Sequence, residues 1–241
     1  MIRRRIRANL DMTKSRTRRL FSLSGFAPVA LLLSLACTPA HASFAVPPNK
    51  PGQYAPRDEC SARPAGSQFL AKLKDAVTAR DAVSVALLSA PDIKLDLGGG
   101  EGRDELVRRL LPESDLWSEL DKILELGCAW DEDNEALVLP WFFNQDLSDS
   151  DPYSTTVALG SAVPLHKSST PGAPAHALLD WQLVVVCETD EIGSPLIPVA
   201  VIDSELEGYI ELEKLRSQLD YRVRAENRDG RWKITAFIAG D

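Results

Sequence analysis

The sequence predicts an α+β protein. A helical, α+β N-terminal part is followed or interrupted by a small antiparallel β-barrel, and a C-terminal β-hairpin closes the chain. Three observations lead there. Apolar residues recur at helical spacing in the first part, 67–143. After a polar linker at 144–155 they fall into short β-runs broken by Pro, Gly and Ser, the cadence of a small barrel, over 156–216. The last stretch, 217–241, carries two alternating runs joined by Arg228-Asp229-Gly230, and Asp-Gly in that setting signals a hairpin.

The elements follow in order. Residues 1–42 read as a signal peptide. Eight basic residues from Arg3 to Arg19 form the n-region, and an apolar stretch, Phe26–Cys37, is too short to span a bilayer. Ala40-His41-Ala42 then gives a small-residue cleavage site between Ala42 and Ser43. Thr17-Arg18-Arg19-Leu20-Phe21 resembles a twin-arginine export motif, so general and twin-arginine export both stay open. Leu33-Ser34-Leu35-Ala36-Cys37 resembles a lipoprotein box but has Ser34 where an apolar residue belongs, which disfavours lipidation at Cys37. Met12 is an alternative start.

Residues 43–66 are rich in Pro, Ala and Gly and read as an extended leader. Phe69, Leu70, Leu73, Ala76 and Val77 share a helix face. Asp81 caps a second helix carrying Val83, Ala86 and Leu87. Ile93, Leu95 and Leu97 alternate as a strand ending in a glycine turn. Two more helices carry Leu106–Leu111 and Leu116–Leu124, with Gly127 as a stop, and Ala136–Phe143 reads as a buried strand.

Charge narrows the partners. The 241 residues sum to −8, but residues 43–241 hold 19 positive and 34 negative charges, a net of −15. An acidic chain of this kind excludes nucleic acid as the main partner, because phosphate binding needs a basic surface. It also excludes electrostatic docking on anionic lipid. Membrane contact is expected only during export, or if Cys37 were lipidated.

After cleavage Cys60, Cys128 and Cys187 remain. An odd count in an oxidising compartment points to one bridge and one buried thiol. A bridge that ties the leader to the core suits Cys60 and Cys128, leaving Cys187 as the thiol. No CxxC occurs, so a redox role is not expected.

Two resemblances add to this reading. Val163-Pro164-Leu165-His166, the runs Ala177–Trp181 and Leu183–Val186, and Gly208-Tyr209-Ile210 followed by Leu215 are similar to bacterial Src-homology-3-like domains over residues 157–215. Lys167–Pro171 replaces that family's usual turn. The resemblance implies binding of peptidoglycan or a periplasmic protein, with Tyr209 and Trp181 as ligand contacts. Asp229-Gly230-Arg231-Trp232-Lys233-Ile234 near the end, after helices and strands, resembles the nuclear-transport-factor-2-like cone fold. That resemblance implies one α+β unit made of 67–143 and 217–241, with the barrel inserted. Two consecutive domains is the alternative.

Motifs that carry chemistry are few. Gly98-Gly99-Gly100-Glu101-Gly102 fits neither phosphate-loop pattern, and Glu101, Asp104 and Glu105 place negative charge where a phosphate would bind. His166 and His176 lack a Cys, Ser or acidic neighbour at catalytic spacing. Asp131–Glu135 and Asp146, Asp149 and Asp151 supply oxygens at close spacing, as calcium needs, but the first lacks the glycine and terminal glutamate of a calcium loop, and both read as acidic turns. No catalytic residue, metal or cofactor is therefore expected. The reading is a non-catalytic exported envelope protein that binds a periplasmic protein or peptidoglycan. Its alternative is a cone-fold small-molecule-binding protein or enzyme using Asp96 as a pocket acid.

Overall fold

The computed structural model describes residues 49–147, 151–189 and 194–240. The proposed cleavage point at Ala42 and Ser43, the export motif and Cys37 lie outside the described residues. Four helices are described: α1 Gly66–Thr78, α2 Ala82–Leu88, α3 Arg103–Arg109 and α4 Leu116–Glu125. Each has a local cause. Asp81 caps α2 by accepting from the Ser84 amide at 3.0 Å. Gly127, at φ 78°, takes the left-handed position that ends the chain's departure from α4.

The first sheet has strands in the order β1-β12-β11-β3-β2. These are β1 Ser89–Lys94, β2 Ala129–Asp131, β3 Ala136–Leu139, β11 Arg222–Arg228 and β12 Arg231–Ile238. The β11–β12 hairpin closes through Asp229 and Gly230, both at positive φ, as a two-residue turn of this hand requires. It pairs with β3 and, in parallel, with β1. Pro140 ends β3 two residues before Phe142, and Trp141–Asn144 form a single 3-10 turn instead of extending the strand.

One face of this sheet meets the helices. Leu137, Val223, Ala225 and Ile234 pack against Leu73, Val77, Leu120 and Ile123. The other face carries ion pairs, Arg224 with Asp131 at 2.8 Å and Arg228 with Asp92 at 3.1 Å. On α2 the buried face holds Val85 and Ala86, whereas Val83 and Leu87 are exposed. The expected face is therefore rotated.

The chain leaves the first sheet after β3 and returns to it at β11. Between them lies a seven-stranded antiparallel sheet in the order β10-β4-β7-β8-β9-β5-β6. Its strands are β4 Thr155–Ala158, β5 Val163–His166, β6 Ala175–Leu179, β7 Leu183–Val186, β8 Leu196–Val201, β9 Glu207–Glu211 and β10 Leu215–Ser217.

These facts correct the expected fold class. The protein is β-rich, with sheets of five and seven strands, and no closed barrel occurs among the described residues. The Src-homology-3-like barrel is overturned by the open edges: β10 pairs only with β4 and β6 only with β5. The physical reason lies in β4. Its residues are buried in succession, because both faces of the sheet are covered there. Ala158 joins a core with Val184, Val199 and Ile210, while Val157 packs with Leu183, Tyr54, Trp141 and Phe142. A strand covered on both faces stands inside a layered sheet rather than in the wall of a small barrel.

Candidate functional site

The two-sided burial runs out across the second sheet. Near β4 and β7 its second face is covered by the Trp141 turn and Tyr54. Farther out, β9 reads Glu207-Gly208-Tyr209-Ile210-Glu211, and Ile210 is fully buried in the first-face core. Alternation along a strand then sends Glu207, Tyr209 and Glu211 to the second face. Both glutamates are exposed and Tyr209 is half-buried.

Register places the neighbours. Tyr209 lies opposite Pro198 of β8 and opposite His166 of β5. Glu207 lies opposite Ala200, and Glu211 opposite Leu196. Leu196 and Ala200 are buried, so what this face leaves partly open is Pro198 and Tyr209, with an exposed carboxylate at each end of the β9 row. Neither Glu207 nor Glu211 has an ion-pair partner among the described residues.

Gly208 explains why β5 reaches Tyr209 at all. A Cβ at Gly208 would meet the His166 carbonyl oxygen at 2.6 Å and Leu165 Cγ at 2.8 Å. Only a residue without a side chain permits this approach. His166 is in turn held by the 167–174 loop, since its Nδ1 lies 2.7 Å from the Ala173 carbonyl oxygen. A carbonyl only accepts, so Nδ1 carries the proton and donates.

The two residues expected as ligand contacts are not brought together. Trp181 sits in the β6–β7 turn at φ 46° and packs on the covered side, against the Tyr54, Trp141 and Phe142 cluster. Its amide donates to the Gly160 carbonyl at 3.0 Å, and its carbonyl accepts from the Tyr54 amide at 3.2 Å. Tyr209 stands on the open side. Sequence reasoning missed Glu207, Glu211 and Pro198, although Glu-x-Tyr-x-Glu was a readable period-two signal.

Asp96 is engaged elsewhere. Its Oδ1 accepts from the amides of Gly98 and Gly100 at 2.9 and 2.8 Å, and Oδ2 lies 2.5 Å from Arg109 Nη2. The Gly100 amide first, then Arg109, hold its carboxyl below the usual carboxylate range. A Cβ at Gly100 would lie 2.2 Å from both Asp96 Oδ2 and Arg109 Nη2, so the ion pair would have to shift to admit a side chain there. The loop amides that a phosphate would use are thus taken by the chain's own carboxylate.

Other ionisable groups are likewise committed. Asp131 accepts from the Asn134 amide and pairs with Arg224. Burial opposes ionisation of Asp131, but Arg224 and Asn134 outweigh it and its carboxyl is held low. No group of three or more potential metal ligands occurs among the described residues. Surface recesses include one of about 330 Å³ lined by Lys50, Pro51, Gly52, Gln53 and Arg57, and one of about 160 Å³ lined by Phe143, Leu219 and Arg222.

Cys60 and Cys128 form a disulfide, with Cα atoms 5.7 Å apart. Around it, Glu59 accepts from the Trp130 amide at 3.0 Å and from Trp141 Nε1 at 2.9 Å. Asn49 exchanges hydrogen bonds with Leu183, 2.9 Å each way. Residues 49–60 therefore bind both sheets. Cys187, after β7, is not a free thiol, which corrects the expectation of a buried unpaired one. The disulfide is compatible with a protein exported to an oxidising compartment. No described helix is long and apolar enough to cross a membrane.

No protein-family model matches the chain, and no curated protein matches it significantly. Among solved structures, it is similar to a chain whose name carries NTF2 and five substitutions. That match has 9% identity and a TM-score of 0.29, and covers 73% of this chain and 96% of that one. It is also similar to an NTF2-like protein with a cystatin-like fold from Novosphingobium aromaticivorans. Here the identity is 12% and the TM-score 0.23, with 71% of this chain and 75% of that one covered. TM-scores this low do not establish a shared fold.

Proposed function

We propose that the chain is an exported, non-catalytic binding protein. The open part of the second sheet, centred on Tyr209, takes a protein partner in the periplasm. The observation that carries this reading is the change across one face. The same face that is sealed by Trp141 and Phe142 near β4 presents Pro198 and a half-buried Tyr209 near β9, between two exposed carboxylates. Aromatic residues ringed by polar ones are what interfaces use as anchors. Peptidoglycan fits this face less well, since its peptides carry carboxylates that Glu207 and Glu211 would repel.

The second reading is a cone-fold small-molecule-binding protein or pocket enzyme. Its supporting observation is the strand order, in which β1, β2 and β3 share one sheet with the terminal hairpin and enclose the helices on one face. Asp96 does not serve that reading well, because its oxygens are held by two amides and Arg109.

The test compares retention of the exported chain on isolated peptidoglycan sacculi and on solubilised envelope proteins, with Tyr209→Ala and Asp96→Asn beside it. Retention by protein, lost in Tyr209→Ala and kept in Asp96→Asn, supports the first reading. No retention on either material, or retention indifferent to Tyr209→Ala, counts against the first reading and leaves the second.

A further inference from the structure

We infer that the end of α2, beside β12, is a second docking surface, for a protein segment that presents carboxylates next to apolar side chains. Lys233, Arg231 and Arg103 receive the carboxylates, and Val83 and Leu87 receive the apolar side chains. This surface belongs to the first sheet and stands apart from the Tyr209 face.

Val83 and Leu87 lie one helical turn apart on one face of α2, and are 59% and 62% exposed. Their spacing in the sequence assigns them to a core, yet Val85 and Ala86 are the residues α2 buries. Two large apolar side chains are thus left uncovered among the described residues.

Cations gather at the end of the same helix. Lys233 Nζ donates to the Leu87 carbonyl at 2.5 Å. Arg103, the first residue of α3, donates to the Ser89 carbonyl through Nε at 3.0 Å and also through Nη2. Cations suit the C-terminus of a helix. This task fixes both side chains but uses only one of the lysine's three donors and two of the arginine's five. Arg231 is exposed and lies two residues before Lys233 on the same side of β12, about 6.7 Å away.

None of the three cations has an ion-pair partner among the described residues. Glu226, opposite Lys233 on β11, goes to Arg224 and Arg228, and Asp92 goes to Arg228. Asp104 and Asp229, exposed neighbours in the chain, pair with none of the three. Burial first, then Arg103 and Arg231, push the Lys233 ammonium below the ordinary lysine value. An arriving carboxylate relieves that crowding. Residues 43–241 carry a net charge of −15, so three adjacent unmatched cations are a local reversal of sign. The occupant therefore brings the negative charge, and Val83 and Leu87 require it to bring apolar side chains as well.

The experiment uses the full exported chain and a fluorescent helical peptide with leucines on one face flanked by glutamates. Beside it are a peptide with glutamine for each glutamate and one with serine for each leucine. Anisotropy should show binding of the first peptide and of neither control. Lys233→Gln with Arg231→Gln, and separately Val83→Ser with Leu87→Ser, should each weaken binding about tenfold. Arg231→Gln alone, at an exposed position that spares the helix end, should weaken it about threefold. Lys72→Gln with Lys74→Gln, equal in charge but on α1, should change it less than twofold. Equal loss in that control would mean general charge attraction and would overturn the inference. Equal binding of the glutamine peptide, or no binding of any peptide, would overturn it too. If the chain self-associates and the same variants abolish that, the occupant is a second copy and the inference falls.

Discussion

Arg216 Nη1 lies 3.0 Å from Glu119 Oε2, and this pair joins the edge of the second sheet to the helical layer of the first. The Arg216 side chain is only 4% exposed, and its Nη2 donates to the Tyr221 carbonyl at 2.8 Å. A guanidinium this deep depends on its carboxylate. Glu119→Ala leaves the buried cation unpaired and should cost about 3 kcal/mol in denaturant unfolding with the disulfide intact.

The same pair sets an acid limit. Burial opposes ionisation of Glu119, but Arg216 and then Lys122 outweigh it and hold its carboxyl below the ordinary range. A depressed folded-state value means the stabilisation is fully present above the unfolded carboxylate value of about 4.3. It is lost as pH falls through the folded value. Thermal unfolding should show a wild-type loss below about pH 4 that is smaller in Glu119→Gln.

The Cys60–Cys128 bridge spans a sequence separation of 68 and ties the leader to β2. In the chain-entropy model such a loop is worth about 4 kcal/mol. Cys60→Ser should lower stability by about that amount. Equal unfolding midpoints for Cys60→Ser and the wild type would contradict the account of the bridge.

Much of the fold was legible where a residue has one local job. Asp81 as cap, Gly127 beyond α4 and Asp229-Gly230 in the hairpin act through their own backbone, so sequence spacing locates them. The layering was not. Thr155 reads as the end of a polar linker, yet it is buried in β4 beside Thr156, because the sheet is covered on its two faces there. Trp181 reads as a ligand-side aromatic, but its left-handed backbone turns it onto the covered cluster. The candidate site was half legible. Tyr209 is visible by resemblance, whereas the direction in which Glu207 and Glu211 point follows only from Ile210 being fully buried.

Gly208 gives the site its closeness. Gly208→Ala places a methyl against the His166 carbonyl and should push β5 from β9, at a cost of about 2 kcal/mol. Partner retention should fall with it, because Tyr209 loses its neighbour. Unfolding of the variant by denaturant, beside the retention assay, separates the two effects.

Asp96→Asn removes the ion pair with Arg109 and leaves a neutral, weaker acceptor for the Gly98 and Gly100 amides. Because the group is exposed, the expected loss of thermal stability is smaller than for Glu119→Ala, and partner retention should be unchanged. Hydrogen exchange should speed at the Gly98 and Gly100 amides alone.

The most direct measurement of the central claim is a photo-crosslink. A benzophenone amino acid replaces Tyr209 in the full chain expressed in an envelope-bearing host, with a second chain carrying it at Leu111, which is exposed on the helical side. The account predicts a discrete adduct to an envelope protein from position 209 and none from position 111. Equal labelling at both positions, or adducts from position 111 alone, would contradict it.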